Sequence, residues 1–362
     1  MRAVVLVGGE GTRLRPLTFT TPKQMLPIAE VPMIERVLGH LAAHGVDDVV
    51  LSMGYRPDAF LAAFPDDRCA GVRLSYAVEK SPLDTAGAIR FAAAWAGIDE
   101  TFLVVNGDVL TDWDLDLLAG FHKDRHALAT IALTPVEDPS AFGVVPTDAE
   151  GCVQAFIEKP APGTAPTNYI NAGFYVLEPS VLASIEPERR VSIERETFPS
   201  LVEDGRLFAL GSDAYWIDTG TPAKFLEANF DYLRGRRGAE ALAEHARQVA
   251  PGVWHNGAGP VVDGSVSAPS LVGDAAFVAS GAVVSGSVVG AGARVEHGAQ
   301  VVDSVLLPGA LVGPGAVVDG SVVGEGAVVG EGASVRGLSV IGGGQEVQAG
   351  AALDGERVPQ PA

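Results

Sequence analysis

The chain is poor in cysteine: among its 362 residues only Cys69 and Cys152 carry a thiol, and they stand apart without metal-ligand spacing. That excludes a disulfide framework and a thiolate metal site; two buried thiols in a reducing cytoplasm are expected. Positive charge is scarce as well, with 25 Lys and Arg against 45 Asp and Glu, a formal net charge of −20. A field of that sign repels nucleic acid and anionic membrane, so neither is expected as a partner. No apolar run approaches membrane-spanning length, and the five apolar residues after Met1-Arg2 are too few for a signal-peptide core. Hydrophobic residues nevertheless make up 47% of the chain and charged ones only 19%, which excludes disorder and allows two domains with a sizeable core.

What is present begins with alternation. From Arg2 to Asp108 short apolar runs (RAVVLV, DDVVLSM, VRLSYAV, TFLVVNGDV) alternate with helical patterns such as PMIERVLGHLAAHG, where Ile34, Val37, Leu38 and Leu41 share one face between Pro32 and Gly45. The runs are too continuous for half-exposed strands and predict a buried, mostly parallel sheet of Rossmann-like type. Ligands in such sheets bind at the carboxyl ends of the strands. Residues 236–251 read as a helical linker. Beyond it self-similar blocks begin at Ser270, Ser287, Ser304 and Ser321, a period of 17, with a fifth at Ser339 one residue late. Within a block apolar positions recur every six residues, as in Val289, Val295 and Val301. Such hexapeptide spacing predicts a β-helix over 252–353, in which each coil buries its valines only against its neighbours.

The chemistry concentrates in VGGEGTRLRPLT, Val7 to Thr18. Gly8, Gly9 and Gly11 let backbone N–H groups approach a triphosphate, Thr12 adds a hydroxyl, and Arg13 offers paired donors to phosphate oxygens. A dinucleotide fingerprint is excluded because Leu14 occupies the place of its third glycine and no helix follows directly. Together with TPKQMLPI, which holds Lys23 between two prolines, the loop resembles the signature of the sugar-1-phosphate nucleotidyltransferases.

The resemblance extends over residues 1–235 and implies roles for several positions. Leu83 to Gly87 resembles the LGTAG segment that approaches the nucleobase, with Asp84 in place of a glycine, so Thr85, Ala86 and Gly87 are expected at the nucleotide. Glu79 precedes it; a carboxylate accepts both N1–H and the N2 amino group of guanine, which favours GTP, while a solvated glutamate at a strand end is the competing reading. Asp108 in NGDV and Asp218 in YWIDTGT match the carboxylates that bind Mg²⁺. FIEKP resembles the family's FVEKP, giving Glu158 the sugar hydroxyls and Lys159 the sugar phosphate, and Asn171 and Gly143 match positions beside the hexose. The implied catalytic set is Arg13, Lys23, Asp108, Lys159 and Asp218, with no protein nucleophile.

Within the family, TPKQMLPI, LDTAG, FIEKP and INAGFY with the repeats are most similar to guanylyltransferases acting on GTP and mannose 1-phosphate. KQMLP and WIDTGTP are closer to glucose-1-phosphate thymidylyltransferases, which leaves dTTP or UTP with glucose 1-phosphate open. The resemblance also implies that the β-helix is left-handed, and its valine-rich, sparsely charged coils offer flat apolar faces on which chains can pack, so a homo-oligomer is expected. Hexapeptide β-helices often carry acyltransferase sites, for which His297 would be the base. The repeats offer only Arg294 and Arg336 as cations and no loop insertion for coenzyme A, so His297 is expected to be a surface histidine. A non-catalytic regulatory homologue would have lost Arg13, Lys23, Asp108 or Asp218, and all four are present.

Overall fold

The computed structural model describes residues 1–54, 57–237, 242–243, 245–257 and 259–360. By internal packing the chain forms two compact units, Met1–Gly9 with Ile34–Trp216, and Glu10–Met33 with Ile217–Ala362. This partition differs from the one drawn on sequence: the signature segment Glu10–Met33 belongs to the same unit as the repeats.

The first unit is built on a ten-stranded mixed sheet. Its centre is four parallel strands, in spatial order Val72–Val78, Asp48–Met53, Arg2–Leu6 and Phe102–Asn106. Val4, Val50 and Val104 on these strands are fully buried, as their continuous apolar runs require. Tyr169–Leu177 then pairs antiparallel with both Phe102–Asn106 and Ala129–Pro135. The helix Met33–Ala43 buries Ile34, Val37, Leu38 and Leu41, the face read from its periodicity. All four central strands point the same way, so Gly8, Gly54, Glu79 and Asp108 fall just beyond their carboxyl ends.

In the second unit the chain from Val253 to Val358 winds through three stacked parallel sheets, a β-helix. Val289, Val295 and Val301 are fully buried inside it, each contributing roughly 1.5–3 kcal/mol against exposure. The serines that open the blocks are fully buried too. Their hydroxyls form a ladder: Ser270 Oγ accepts the Ser287 N–H at 3.2 Å, Ser287 Oγ that of Ser304 at 3.1 Å, and Ser304 Oγ that of Ser321 at 3.1 Å. Each Oγ also donates to a carbonyl two or three residues back, so no polar atom of the ladder is left unpaired in the core. The late fifth block is explained by Gly337 and Leu338, both at positive φ, where one extra residue is taken up in a turn while the strands keep their pairing.

Two expectations need correction. The linker is not helical where it is described: Arg247–Ala250 is a strand antiparallel to Val253–His255. The linker residues 238–241 and 244 lie outside the described residues. The side chains of Arg247–Ala250 are all exposed, so no apolar face favours a helix there, and pairing with Val253–His255 satisfies the backbone instead. The two thiols are free and only half-buried, and burial pushes the Cys69 thiol up to about 12.

Candidate active site

In the first unit, the strand Arg2–Leu6 delivers Gly8 to within reach of Glu79: a β-carbon on Gly8 would lie 3.9 Å from Glu79 Oε1. The Glu79 carboxylate is half-buried and accepts the Leu83 N–H at 3.0 Å and the Ser52 hydroxyl at 3.3 Å. Desolvation raises its pKa, and these two hydrogen bonds pull the other way without cancelling it. Leu83 leads into the helix Asp84–Trp95, where Asp84 has φ +61°. Glycine takes that left-handed conformation without strain, and aspartate tolerates it by accepting the Thr85 N–H on its own carboxylate at 2.8 Å. Thr85, Ala86 and Gly87 tie the start of this helix to the segment 191–194. Thr85 Oγ1 donates to Glu194 at 2.8 Å and accepts the Ile193 N–H at 2.8 Å, while the Ala86 and Gly87 N–H groups both point to the Val191 carbonyl.

Asp108 follows Gly107, whose missing side chain is a packing requirement: a β-carbon there would meet Val7 Cγ1 at 2.8 Å and the Leu6 carbonyl oxygen at 3.0 Å. The NGDV turn therefore lies directly on the strand end that carries the glycine loop. Gly143 pairs with Glu158 across two short strands, and a β-carbon on Gly143 would lie 3.1 Å from Glu158 Oε2. On a continuing strand Glu158 and Lys159 would point to opposite faces. The strand ends at Glu158, however, and Lys159 takes φ +49°, which brings its ammonium 3.2 Å from the Glu158 carboxylate. Asn171 is used internally. Its Nδ2 donates to Tyr175 Oη at 2.8 Å and its Oδ1 accepts the Gly173 N–H at 2.9 Å, spanning the irregularity in Tyr169–Leu177.

In the second unit, the signature segment is a chain of tight turns, Thr12–Leu14, Leu17–Phe19 and Lys23–Met25, with no α-helix. Gly11, at φ +62°, is pressed between Thr18 and the stem of Lys23, 2.9 and 3.1 Å from where a β-carbon would sit. Leu14 is fully buried and Arg13 mostly exposed, its guanidinium 3.5 Å from Asp218. Arg15, by contrast, is folded onto Glu10 at 2.8 Å and over the Phe19 ring. Asp218 is oriented by the Gly220 N–H at 2.8 Å.

Sequence reasoning missed Ser52, whose hydroxyl holds Glu79, because a serine inside an apolar strand carries no motif. Asp108 and Asp218 offer the hard oxygen donors that a divalent cation takes. Among the described residues one group of three potential ligands stands elsewhere, His44, Asp114 and Asp116. It has a structural use: Asp114 caps the helix Leu115–Asp124 by accepting the Leu117 N–H at 2.9 Å, and Asp116 pairs with His44 at 2.9 Å. In the repeats His297 is exposed, its Nδ1–H donating to the Ser280 carbonyl at 2.6 Å, as a surface histidine. Among the described residues no helix is long and apolar enough to cross a membrane.

Two family models match the chain. Residues 2–235 match the family model described as Nucleotidyl transferase, and residues 266–361 match that described as GMPPB C-terminal domain. The chain is 42% identical to a mannose-1-phosphate guanylyltransferase of Mycobacterium tuberculosis over 76% of its own length and 79% of the relative's. It is 41% identical to a mannose-1-phosphate guanyltransferase of Aspergillus fumigatus over 70% of each chain. Among solved structures, HddC from Yersinia pseudotuberculosis complexed with GMP-PN is similar at 27% identity and a TM-score of 0.54, over 63% of this chain and 97% of that one. The chain belongs to the nucleotidyl transferase family.

Proposed function

We propose that the protein transfers the guanylyl group of GTP to mannose 1-phosphate, forming GDP-mannose and pyrophosphate. The observation that carries the guanine assignment is Glu79, a partly desolvated carboxylate held by Leu83 and Ser52 beside the glycine loop. Fixed in this way it presents two oxygens to the two Watson–Crick donors of guanine, and adenine has no such pair to offer. The names of the relatives support both substrates.

In the reaction an oxygen of the sugar phosphate attacks the α-phosphorus, and the bond from that phosphorus to the bridging oxygen of the leaving pyrophosphate breaks. No protein base is needed, since a phosphate monoester with a second pKa of about 6 is already ionised near neutrality. The chain's task is alignment and charge neutralisation. Lys159 holds the sugar phosphate, Glu158 and the open backbone at Gly143 receive the hexose, and Asn171 supports the strand beside them. Gly8, Gly9, Gly11 and Thr12 take the triphosphate with Lys23, and Arg13 stabilises the departing pyrophosphate. The family generally uses a divalent metal ion; we assign it as Mg²⁺ to Asp108 and Asp218, where it would neutralise charge at the α-phosphate.

The motifs KQMLP and WIDTGTP favour a second reading, glucose 1-phosphate with dTTP or UTP. A matrix of GTP, dTTP, UTP and ATP against mannose, glucose and N-acetylglucosamine 1-phosphates, scored by pyrophosphate release, separates the two. Highest kcat/KM for any pair other than GTP with mannose 1-phosphate rejects the proposal. The same reading places catalysis in residues 1–235, gives the coils 252–353 a part in homo-oligomer assembly, and locates the protein in the cytoplasm.

A further inference from the structure

The signature segment is seated on the coils of its own unit at both ends. At the far end, Pro27–Ile28 and Val31–Pro32 form a small hairpin whose two turn residues, Ala29 and Glu30, are both left-handed. The Ala29 N–H donates to Asn229 Oδ1 at 2.8 Å. Glu30 accepts the Asn256 Nδ2–H at 2.9 Å and fills the space that a side chain on Gly273 would need. At the near end, Pro16 lies against Gly342, 3.0 Å from where a β-carbon would project, and Thr20 lies against Gly343 at the same distance. Next to this seat, on the strand Arg357–Val358, Arg357 Nη1 donates to the Arg13 carbonyl at 3.2 Å and to the Arg15 carbonyl at 2.6 Å.

These two carbonyls flank Leu14, which is fully buried. A cation bonded to both ties the Arg13–Leu14 peptide plane to the Arg15–Pro16 plane and so sets the direction in which the Arg13 side chain leaves the backbone. The sequence contains no hint of this, because the contact joins residues 344 positions apart. We infer that Arg357 is a positioning residue for the transfer reaction: through the carbonyls of Arg13 and Arg15 it holds the Arg13 guanidinium where the leaving pyrophosphate forms. The inference rests on the reading of Arg13 as a pyrophosphate contact. It makes the β-helix part of the catalytic apparatus as well as a platform for assembly.

The test is a double-mutant cycle on the full-length protein with Arg13→Ala and Arg357→Ala, measured with GTP and mannose 1-phosphate. Arg357→Ala is expected to lower kcat/KM for GTP roughly tenfold or more, by the cost of a misplaced catalytic group. KM for mannose 1-phosphate and the melting temperature should be unchanged. Arg357→Lys, which still reaches a carbonyl, should recover part of the loss, and Arg357→Ala should add nothing to Arg13→Ala. Arg336→Ala removes the same charge from a neighbouring coil, where its Nε donates to Ser334 Oγ at 2.9 Å, and should match wild type. If Arg13→Ala is impaired while Arg357→Ala matches wild type, or if the two losses multiply, the positioning role is overturned and the reading of Arg13 stands. If Arg13→Ala is itself fully active, that reading fails and the positioning role fails with it.

Discussion

In its proposed role as reader of guanine, Glu79 would combine two demands that oppose each other. Reading guanine needs an ionised carboxylate, and the burial that keeps water from competing raises its pKa. The ionised acceptor is therefore lost as pH falls through a value above the ordinary glutamate range, and preference for GTP over ATP should weaken on that side. Glu79→Gln should reduce the preference at neutral pH and abolish this acid limb, as kcat/KM ratios across pH would show. For stability the sign is opposite. The folded chain binds the Glu79 proton more tightly than the unfolded chain, so the stabilisation is full below the unfolded pKa and disappears as pH rises through the folded one. Near neutrality the ionised group costs stability, and Glu79→Gln should melt no lower than wild type. Asp108→Asn keeps the size of the side chain and removes its charge, so kcat should fall at least about a hundredfold with the fold intact. Near-normal turnover at saturating Mg²⁺ would remove Asp108 from the metal site.

At the scale of elements, function depends on where strands stop. The strand carrying Glu158 ends there, and the left-handed turn at Lys159 puts both charges on one side. Lys159→Ala should raise KM for the sugar 1-phosphate roughly tenfold, the size expected for one charge-assisted hydrogen bond, and leave KM for GTP within twofold. A change confined to GTP would reverse the assignment. In the coils the corresponding device is the serine ladder. Ser304→Ala leaves the Ser321 N–H without its acceptor inside a closed core, while the Val302 carbonyl keeps the Gly320 N–H at 3.0 Å, and should cost about 1–3 kcal/mol, read as a lower denaturant midpoint. Turnover below that midpoint should be unaffected, since the ladder serines are fully buried inside the coils. The repeat period was legible because Ser and Val recur in register; the hydroxyl ladder that explains the serine was not, because it runs between coils.

At the scale of the whole molecule the question is whether the coils can be removed. Every residue assigned to chemistry precedes residue 235, so sequence alone suggests that a chain ending near residue 250 would keep its activity. The packing argues otherwise. Glu10–Met33 belongs with the coils, through Glu30 on Asn256 and through Arg357 on the Arg13 and Arg15 carbonyls. A fragment of residues 1–250 should therefore lose most of its pyrophosphate-releasing activity even where circular dichroism shows the first unit folded. Light scattering on the same fragment tests assembly, and an unchanged mass would show that the coils do not mediate self-association. A fully active fragment would show that the signature segment holds its conformation without its seat.

The sequence by itself determined the family, the parallel sheet and the coils. Each depends on local pattern: glycines and cations in a short loop, apolar runs at strand length, valines every six residues. It also named the charged residues of the candidate site, because VGGEGTRLRPLT, FIEKP and YWIDTGT each lie within one short segment. Tertiary structure alone decided how those residues are held. Ser52 on Glu79, Glu194 on Thr85, and Arg357 on the Arg13 and Arg15 carbonyls are pairs far apart in the chain, formed by polar groups whose partners are chosen by distance in the folded state. A hydrogen bond requires its atoms within about 3 Å of each other in space and places no condition on their separation along the chain, so no local pattern records it.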